Sequence, residues 1–415
     1  MELGAPPELD PISGDYVGLA FGIERHVPGY VDAYVGPAAV KEAALAGDAP
    51  EPARLLETAR TLAVRVAEAE APETRVGFLT AQVGAMIATC RRLAGEDLPY
   101  AEEVRACFDV EPERTPEAVF DAAIAELDGL LPGNGPVAER MVAWRGRFAI
   151  SPEAARAVID AVVPELRART AAIVELPAGE SVEFRFVRDQ PWSGYNWYLG
   201  AARSRVELNT DLPIHANRLT DLLCHEAYPG HHAEHALKDR LLYRERGWGE
   251  HAIQLINTPE CVVSEGIATL AEGAIFPDEE ERAWFRAERV YPAAGLAGVA
   301  EPEREAGIAR AQLALRAVAG NAALGLHAEG GSEEEAVAYL QRYGLVSEGE
   351  ARQRLRFLAD PLWRAYVFCY HAGHDLLGAW LDAGPARERA ARFRTLLTEQ
   401  IYPSQVARWV ADEAG

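Results

Sequence analysis

A proline followed by a glycine stands in the middle of the densest histidine cluster of the chain, Cys224-His225-Glu226-Ala227-Tyr228-Pro229-Gly230-His231-His232-Ala233-Glu234-His235. Proline lacks the amide proton a helix needs, and glycine accepts backbone angles closed to other residues. Pro229-Gly230 therefore breaks or bulges any helix that carries the cluster. Whatever this chain folds into has to gather several imidazoles and carboxylates around that irregularity.

Histidines clustered beside a glutamate are metal-ligand chemistry. In the pattern H-E-x-x-H, two histidines one helical turn apart bind zinc and the intervening glutamate deprotonates the water on the metal. The residue types come in that order here, but the residue four after His225 is Pro229, which has no ligand atom. On an unbroken helix His231 would lie roughly 9 Å along the axis and about 120° round from His225, at ~1.5 Å and ~100° per residue. A two-residue bulge at Pro-Gly returns His231 to the place of the usual second histidine. The rival is His232, nearly in phase with His225, but its ring would have to converge with that of His225 over about 10 Å of rise. His231 is the preferred second ligand, and His232 is expected to support the ligands from behind.

A third ligand is expected in Asn257-Thr258-Pro259-Glu260-Cys261-Val262-Val263-Ser264-Glu265-Gly266-Ile267-Ala268-Thr269-Leu270-Ala271-Glu272. Asn-Thr-Pro reads as a helix start, and Glu265 and Glu272, seven apart, share a face of the helix that follows. Buried carboxylates on an apolar helix need a partner. Zinc supplies one, with Glu265 as ligand and Glu272 orienting a ligating histidine. The competing account is a solvated acidic stripe.

H-E-A-Y-P-G-H-H, followed about thirty residues later by S-E-G-I-A-T-L-A-E, resembles the bacterial domain of unknown function 885 family, whose hallmarks are H-E-x-x-P-G-H-H and E-G-W-A-L-Y-A-E. That family is grouped with the helical zinc peptidases, among them thimet oligopeptidase, angiotensin-converting enzyme and the Taq-type carboxypeptidases. Their motif is commonly H-E-x-G-H, and its Gly-His is similar to Gly230-His231. The resemblance implies His225, His231 and Glu265 as ligands and Glu226 as the base. Ile267, Thr269 and Leu270 depart from the second hallmark, which keeps both acids and changes the wall of the pocket. The resemblance is strong over the catalytic half and weak before about residue 150.

The 415 residues, 49% of them apolar, suffice for one or two domains. The expectation is a mainly α, multi-helix, zinc-peptidase-like fold with a small β-sheet beside the metal cleft. It divides into a helical lobe over 1–175 and a catalytic lobe over 176–415, the latter with a sheet (180–209), metal helices (212–275) and C-terminal helices. Prolines punctuate the first lobe at Pro37, Pro50, Pro52, Pro72, Pro99, Pro112, Pro116, Pro132, Pro136 and Pro152. The aromatic segment from His26 to Tyr34 holds a lone histidine and is left outside the site. Alternation of apolar and polar residues predicts strands at Ser181 to Arg188, Tyr195 to Leu199 and Ser204 to Leu208. Arg205 to Thr210 is the candidate edge strand for pairing with substrate backbone, as in thermolysin-like peptidases, or else part of a hairpin that covers the core. Asp211-Leu212-Pro213 reads as the start of the helix that reaches His225. After Glu272 the chain reads as helical, punctuated at Pro277, Gly295, Gly320 and Gly330-Gly331.

Near the end, Trp363-Arg364-Ala365-Tyr366-Val367-Phe368-Cys369-Tyr370-His371-Ala372-Gly373-His374 places Tyr366, Tyr370 and His374 one turn apart on one helix face. Hydrolysis on zinc needs a donor to the developing oxyanion. The family has a similar Y-x-x-G, which points to Tyr370 first and to His374 or His371 second. The alternative is an aromatic stripe in the core.

A formal net charge of −23 argues against nucleic acid and anionic membranes as partners. No apolar stretch approaches the ~20 residues needed to cross a bilayer, and the segment from Met1 to Pro7 lacks the features of a signal peptide. The expected location is the cytoplasm. Cys90, Cys107, Cys224, Cys261 and Cys369 lack the spacing of a disulfide framework and are expected to be reduced. The function these features predict is a zinc-dependent metallopeptidase acting on short peptides with Glu226 as general base. An amidohydrolase of non-peptide amides would use the same centre. A helical binding protein with a structural metal is the reading from another class; it would have no use for Glu226 and would close its site with a fourth protein ligand.

Overall fold

One helix, Pro259–Ile275, is buried on nearly every side and ties the molecule together in the computed structural model, which describes residues 6–190, 192–211 and 213–414. Its residues enter three apolar cores. Val262 packs with Phe108, Phe120, Leu340 and Phe368. Val263, Ile267 and Leu270 pack with Leu377, Trp380, Phe393 and Leu396. Ala271 and Ile275 join Trp144, Phe148, Leu166, Leu219, Leu223 and Tyr291. A helix apolar all round is stable only in such a position, so two of the acids it carries, Glu265 and Glu272, are buried as well.

The fold is mainly α with a small β component. The prolines mark helix starts, because a proline disfavours helical angles in the residue before it while fitting the first turn itself. Helices run Ala38–Leu45, Pro52–Ala67, Glu73–Leu93, Tyr100–Phe108, Glu117–Leu130, Val137–Gly146 and Pro152–Ala171, each with a proline at or directly before its first residue. The apolar clusters cross residue 175. Tyr16, Phe21, Leu62 and Met86 pack with Ile253 and Leu255, and Val158 and Ile159 pack with Val206 and Leu223.

The strands are Ser181–Val187, Gly194–Gly200 and Arg203–Asn209. Arg203–Asn209 lies in the middle, parallel to Ser181–Val187 and antiparallel to Gly194–Gly200. The expectation that Arg205 to Thr210 forms the edge is therefore corrected. Both sides of that strand are paired, and Gly194–Gly200 is the edge nearest the histidine cluster. Two short antiparallel pairs join Val31–Tyr34 to Ile253–Leu255 and Ala149–Ile150 to Ile214–His215.

That second pairing corrects the start of the histidine-bearing helix. Ile214 and His215 are extended, and the helix runs Ala216–Glu226 with His215 at its N-cap; Leu212 lies outside the described residues, as do Met1 to Ala5. Gly320 is not a break either. It lies inside the helix Val318–His327, where a Cβ would stand 2.5 Å from His371 Cε1, so glycine there makes room for a buried histidine. The chain beyond Glu272 is helical as expected, and Ser332 caps Glu333–Gly344 through a reciprocal bond with Glu335. No helix is long and apolar enough to cross a membrane.

Candidate metal centre

The helix Ala216–Glu226 stops at the Pro-Gly break and resumes as His231–Lys238. Gly230 N donates to Cys224 O at 2.9 Å and Ala233 N to Ala227 O at 3.2 Å, both six residues back where a regular helix reaches four. The break thus absorbs two extra residues, as the Pro-Gly dipeptide predicts. The Tyr228-Pro229 peptide is cis, and a Cβ on Gly230 would overlap the carbonyl oxygens of His225 and Cys224. Only glycine fits this turn.

Across the break, His225 and His231 meet edge to face with ring centroids 4.8 Å apart. Glu265, on the central helix, completes the group: its Oε2 lies 3.4 Å from His225 Nε2 and 3.9 Å from His231 Nε2. The donor atoms of the three residues lie within 4.8 Å of one another. Glu265 Oε2 is buried and, among the described residues, accepts no hydrogen bond. Its other oxygen, Oε1, accepts from Tyr366 Oη at 2.9 Å.

The tautomer of His231 follows from its neighbours. Ser264 Oγ donates to Glu234 Oε2 at 2.6 Å and lies 3.1 Å from His231 Nδ1. A hydroxyl has one proton, so Oγ accepts from Nδ1–H, and the lone pair of Nε2 faces Glu265. Lys238 Nζ holds the other oxygen of Glu234 at 2.6 Å. Two acceptors, Nε2 of His231 and Oε2 of Glu265, are thereby aimed at each other. A cation coordinated by both removes their repulsion, and two imidazole nitrogens with one carboxylate oxygen are a zinc donor set. Burial opposes protonation of His225, but the carboxylates of Glu265 and Glu226 outweigh it and lift its pKa to about 9.

Glu226 ends the first helix half and is 5% exposed. Burial raises its pKa, against the opposing pull of His225 and His231. Asn196 Nδ2 donates to its carbonyl oxygen at 2.7 Å, which pins the helix end to the edge strand. A Cβ on Gly194 would lie 3.2 Å from Glu226 Oε1 and 2.9 Å from Leu222 Cδ1, so the strand passes directly against the carboxylate.

His232 points the other way. Its Nδ1 lies 2.8 Å from Ser204 Oγ and its Nε2 2.9 Å from Glu180 Oε2, and Glu180 also binds Tyr228 and Arg167. Both ring nitrogens are engaged away from the centre. The expectation for Glu272 is corrected: among the described residues no hydrogen bond joins it to His225. It lies 3.9 Å from Arg286 Nη1, and burial, with Asp221 nearby, raises its pKa to about 7.

Tyr370 sits on the helix Val367–Asp382, which crosses the central helix where Gly373 meets Gly266 so closely that neither tolerates a side chain. It is 37% exposed. Desolvation and the charges of Glu265 and Glu226 push its phenol well above the usual range. Tyr366, one turn earlier, is the tyrosine that holds Glu265. His374 lies beside Asp375, Nδ1 to Oδ1 at 3.5 Å, and among the described residues no hydrogen bond or ion pair ties it to the three ligands.

Sequence reasoning missed a residue pair near the carboxylates of the centre. Tyr195 Oη donates to Asp32 Oδ1, and Tyr195 feels the charges of Glu226 and Glu265. Asp32 belongs to the segment set aside for its lone histidine. His26 is indeed remote, with Nε2 at 2.7 Å from Pro50 O. The sequence offered no signal for Asp32, since its partner lies 163 residues away.

No family model matches this chain, and no curated protein matches it in sequence. Several solved structures match its fold, two of them as follows. A "putative lipoprotein" from Colwellia psychrerythraea matches with TM-score 0.54 and 17% identity over 98% of this chain and 77% of its own. A "putative lipoprotein of unknown function" from Shewanella oneidensis matches with TM-score 0.51 and 12% identity over 91% and 76%. At such identities the likeness concerns the fold alone.

Proposed function

We propose that the chain is a zinc-dependent hydrolase, a metallopeptidase that cleaves short peptides, with His225, His231 and Glu265 as ligands. The observation that carries this reading is the orphaned Oε2 of Glu265 facing the Nε2 atoms of two histidines, with the carboxylate of Glu226 beside them. Zinc bound there supplies Lewis acidity and a water that loses its proton near neutral pH. The remaining work belongs to the chain. Glu226 accepts a proton from water at its carboxylate and returns it to the amide nitrogen as the C–N bond breaks. Its burial strengthens it as a base, which suits a group that must take and give back one proton.

Tyr370 donates from its phenol to the carbonyl oxygen as that oxygen becomes an oxyanion, and His374 is the second choice on the same face. Tyr366 turns Glu265 so that Oε2 faces the histidines. Ser264, Glu234 and Lys238 fix His231 in the tautomer a ligand requires. Three protein ligands with a base alongside support a hydrolase over a structural metal site, which closes with four. We place the chain in the cytoplasm on the same reading, supported by five cysteines that are all free and buried. The test is digestion of a peptide library by zinc-loaded protein and by Glu226→Gln. Cleavage by the first and not the second is expected, and equal cleavage by both would overturn the assignment of the base.

A further inference from the structure

We infer that Asp32, steadied by Tyr195, recognises a free amino group of the substrate, so that peptides entering this site carry their α-ammonium within a residue or two of the cleaved bond. This rests on the peptidase reading above and adds the end of the chain that is recognised.

Asp32 lies on Val31–Tyr34, and Tyr195 on the edge strand whose first residue, Gly194, packs against Glu226. The hydrogen bond from Tyr195 uses Asp32 Oδ1 only. Oδ2 accepts no hydrogen bond from the described residues, and Asp32 is partly exposed. A link that merely fastened two strands would be served by a neutral side chain; a carboxylate with one free oxygen is suited to a cation.

The surrounding charges give the sign of the ligand. The charge acting on Asp32 is that of the Glu265 carboxylate, with no lysine or arginine beside it. Two basic groups near the sheet are already engaged: Arg205 with Glu207 at 2.9 Å and Lys238 with Glu234 at 2.6 Å. A substrate carboxylate would meet carboxylates here, whereas an ammonium group supplies the missing partner. Burial lifts the pKa of Asp32 to about 6, the mark of a carboxylate desolvated without a cation of its own.

The probes are tri-alanine, N-acetyl-tri-alanine and tri-alanine amide. Their binding is measured by calorimetry on Glu226→Gln protein, which holds them without turnover. Tri-alanine and its amide are expected to bind alike and the N-acetyl form about tenfold or more weaker, a difference of ~1.4 kcal/mol or more. Adding Asp32→Asn, which keeps the Tyr195 hydrogen bond and removes the charge, is expected to abolish that difference. Equal binding of the N-acetyl form, loss of binding on C-terminal amidation, or no binding of any probe would overturn the inference. The comparison between probes needs no variant at position 32, so a folding defect there cannot decide the result. Hydrolysis of the same peptides by wild-type protein separates the two proposals. Amine-selective binding without cleavage keeps the ammonium site and sinks the peptidase reading; cleavage indifferent to acetylation does the reverse.

Discussion

Replacing Ser264 by alanine should weaken zinc binding even though Ser264 is not a ligand. Its hydroxyl stands between His231 Nδ1 at 3.1 Å and Glu234 Oε2 at 2.6 Å. Alanine leaves both groups without that partner, while Lys238 still holds the other oxygen of Glu234. A buried polar group left unpaired costs ~1–3 kcal/mol, so unfolding of the metal-free variant should be easier by about 2–6 kcal/mol for the two together. The larger consequence is for the metal. Without an acceptor at Nδ1 the imidazole of His231 is free to rotate and to change tautomer, and loss of such an outer partner lowers metal affinity by roughly 10–100-fold. Competition of the variant against a chromogenic chelator measures that affinity, and urea unfolding of the chelated protein measures the stability. Unchanged zinc affinity in a variant that has lost stability would show that Ser264 only joins two helices and that the tautomer argument is wrong.

Other substitutions probe other parts of the centre. Glu226→Gln should keep fold and metal and lower turnover by about a hundredfold or more; wild-type turnover on any cleaved peptide refutes the general-base role. Tyr370→Phe should lower turnover by roughly 10²–10³ with little change in substrate affinity or melting temperature, whereas a phenol that only packs would leave turnover as it was. Asp32 is held at about 6, above its ordinary value of 3.8, by burial. An acid whose pKa is raised on folding destabilises the fold when ionised, a penalty present above about pH 6 and lost as the pH falls below the ordinary value. Asp32→Asn should therefore be the more stable protein at pH 8 and gain nothing at pH 4, as unfolding at the two pH values will show; a gain independent of pH would contradict the charge argument.

Much of this was legible in the sequence because it rests on local chemistry. The prolines at positions 37, 52, 72, 99, 116, 136 and 152 begin helices for a reason confined to one or two residues. The Pro229-Gly230 bulge was legible in the same way, and with it the meeting of His225 with His231. What escaped depends on distant partners. The alternation that identified three strands does not give their order, so the central strand was taken for an edge. Two extended residues, Ile214 and His215, delay the next helix only because Ala149 and Ile150 pair with them. Glu272 shares a helix face with Glu265, yet the charge nearest to it is Arg286 of the following helical segment, at 3.9 Å. Tyr366 and Tyr370 are alike as a sequence pattern, and only the position of Glu265 separates the one that holds the ligand from the one left exposed.

The central claim is that His225, His231 and Glu265 form an open three-ligand zinc site. Elemental analysis of protein purified without chelator tests it most directly. The account predicts about one zinc per chain in the wild type, a sharp fall in His225→Ala and Glu265→Ala, and near-full retention in His232→Ala, whose ring is occupied by Ser204 and Glu180. Near-full zinc in both of the first two variants would contradict it.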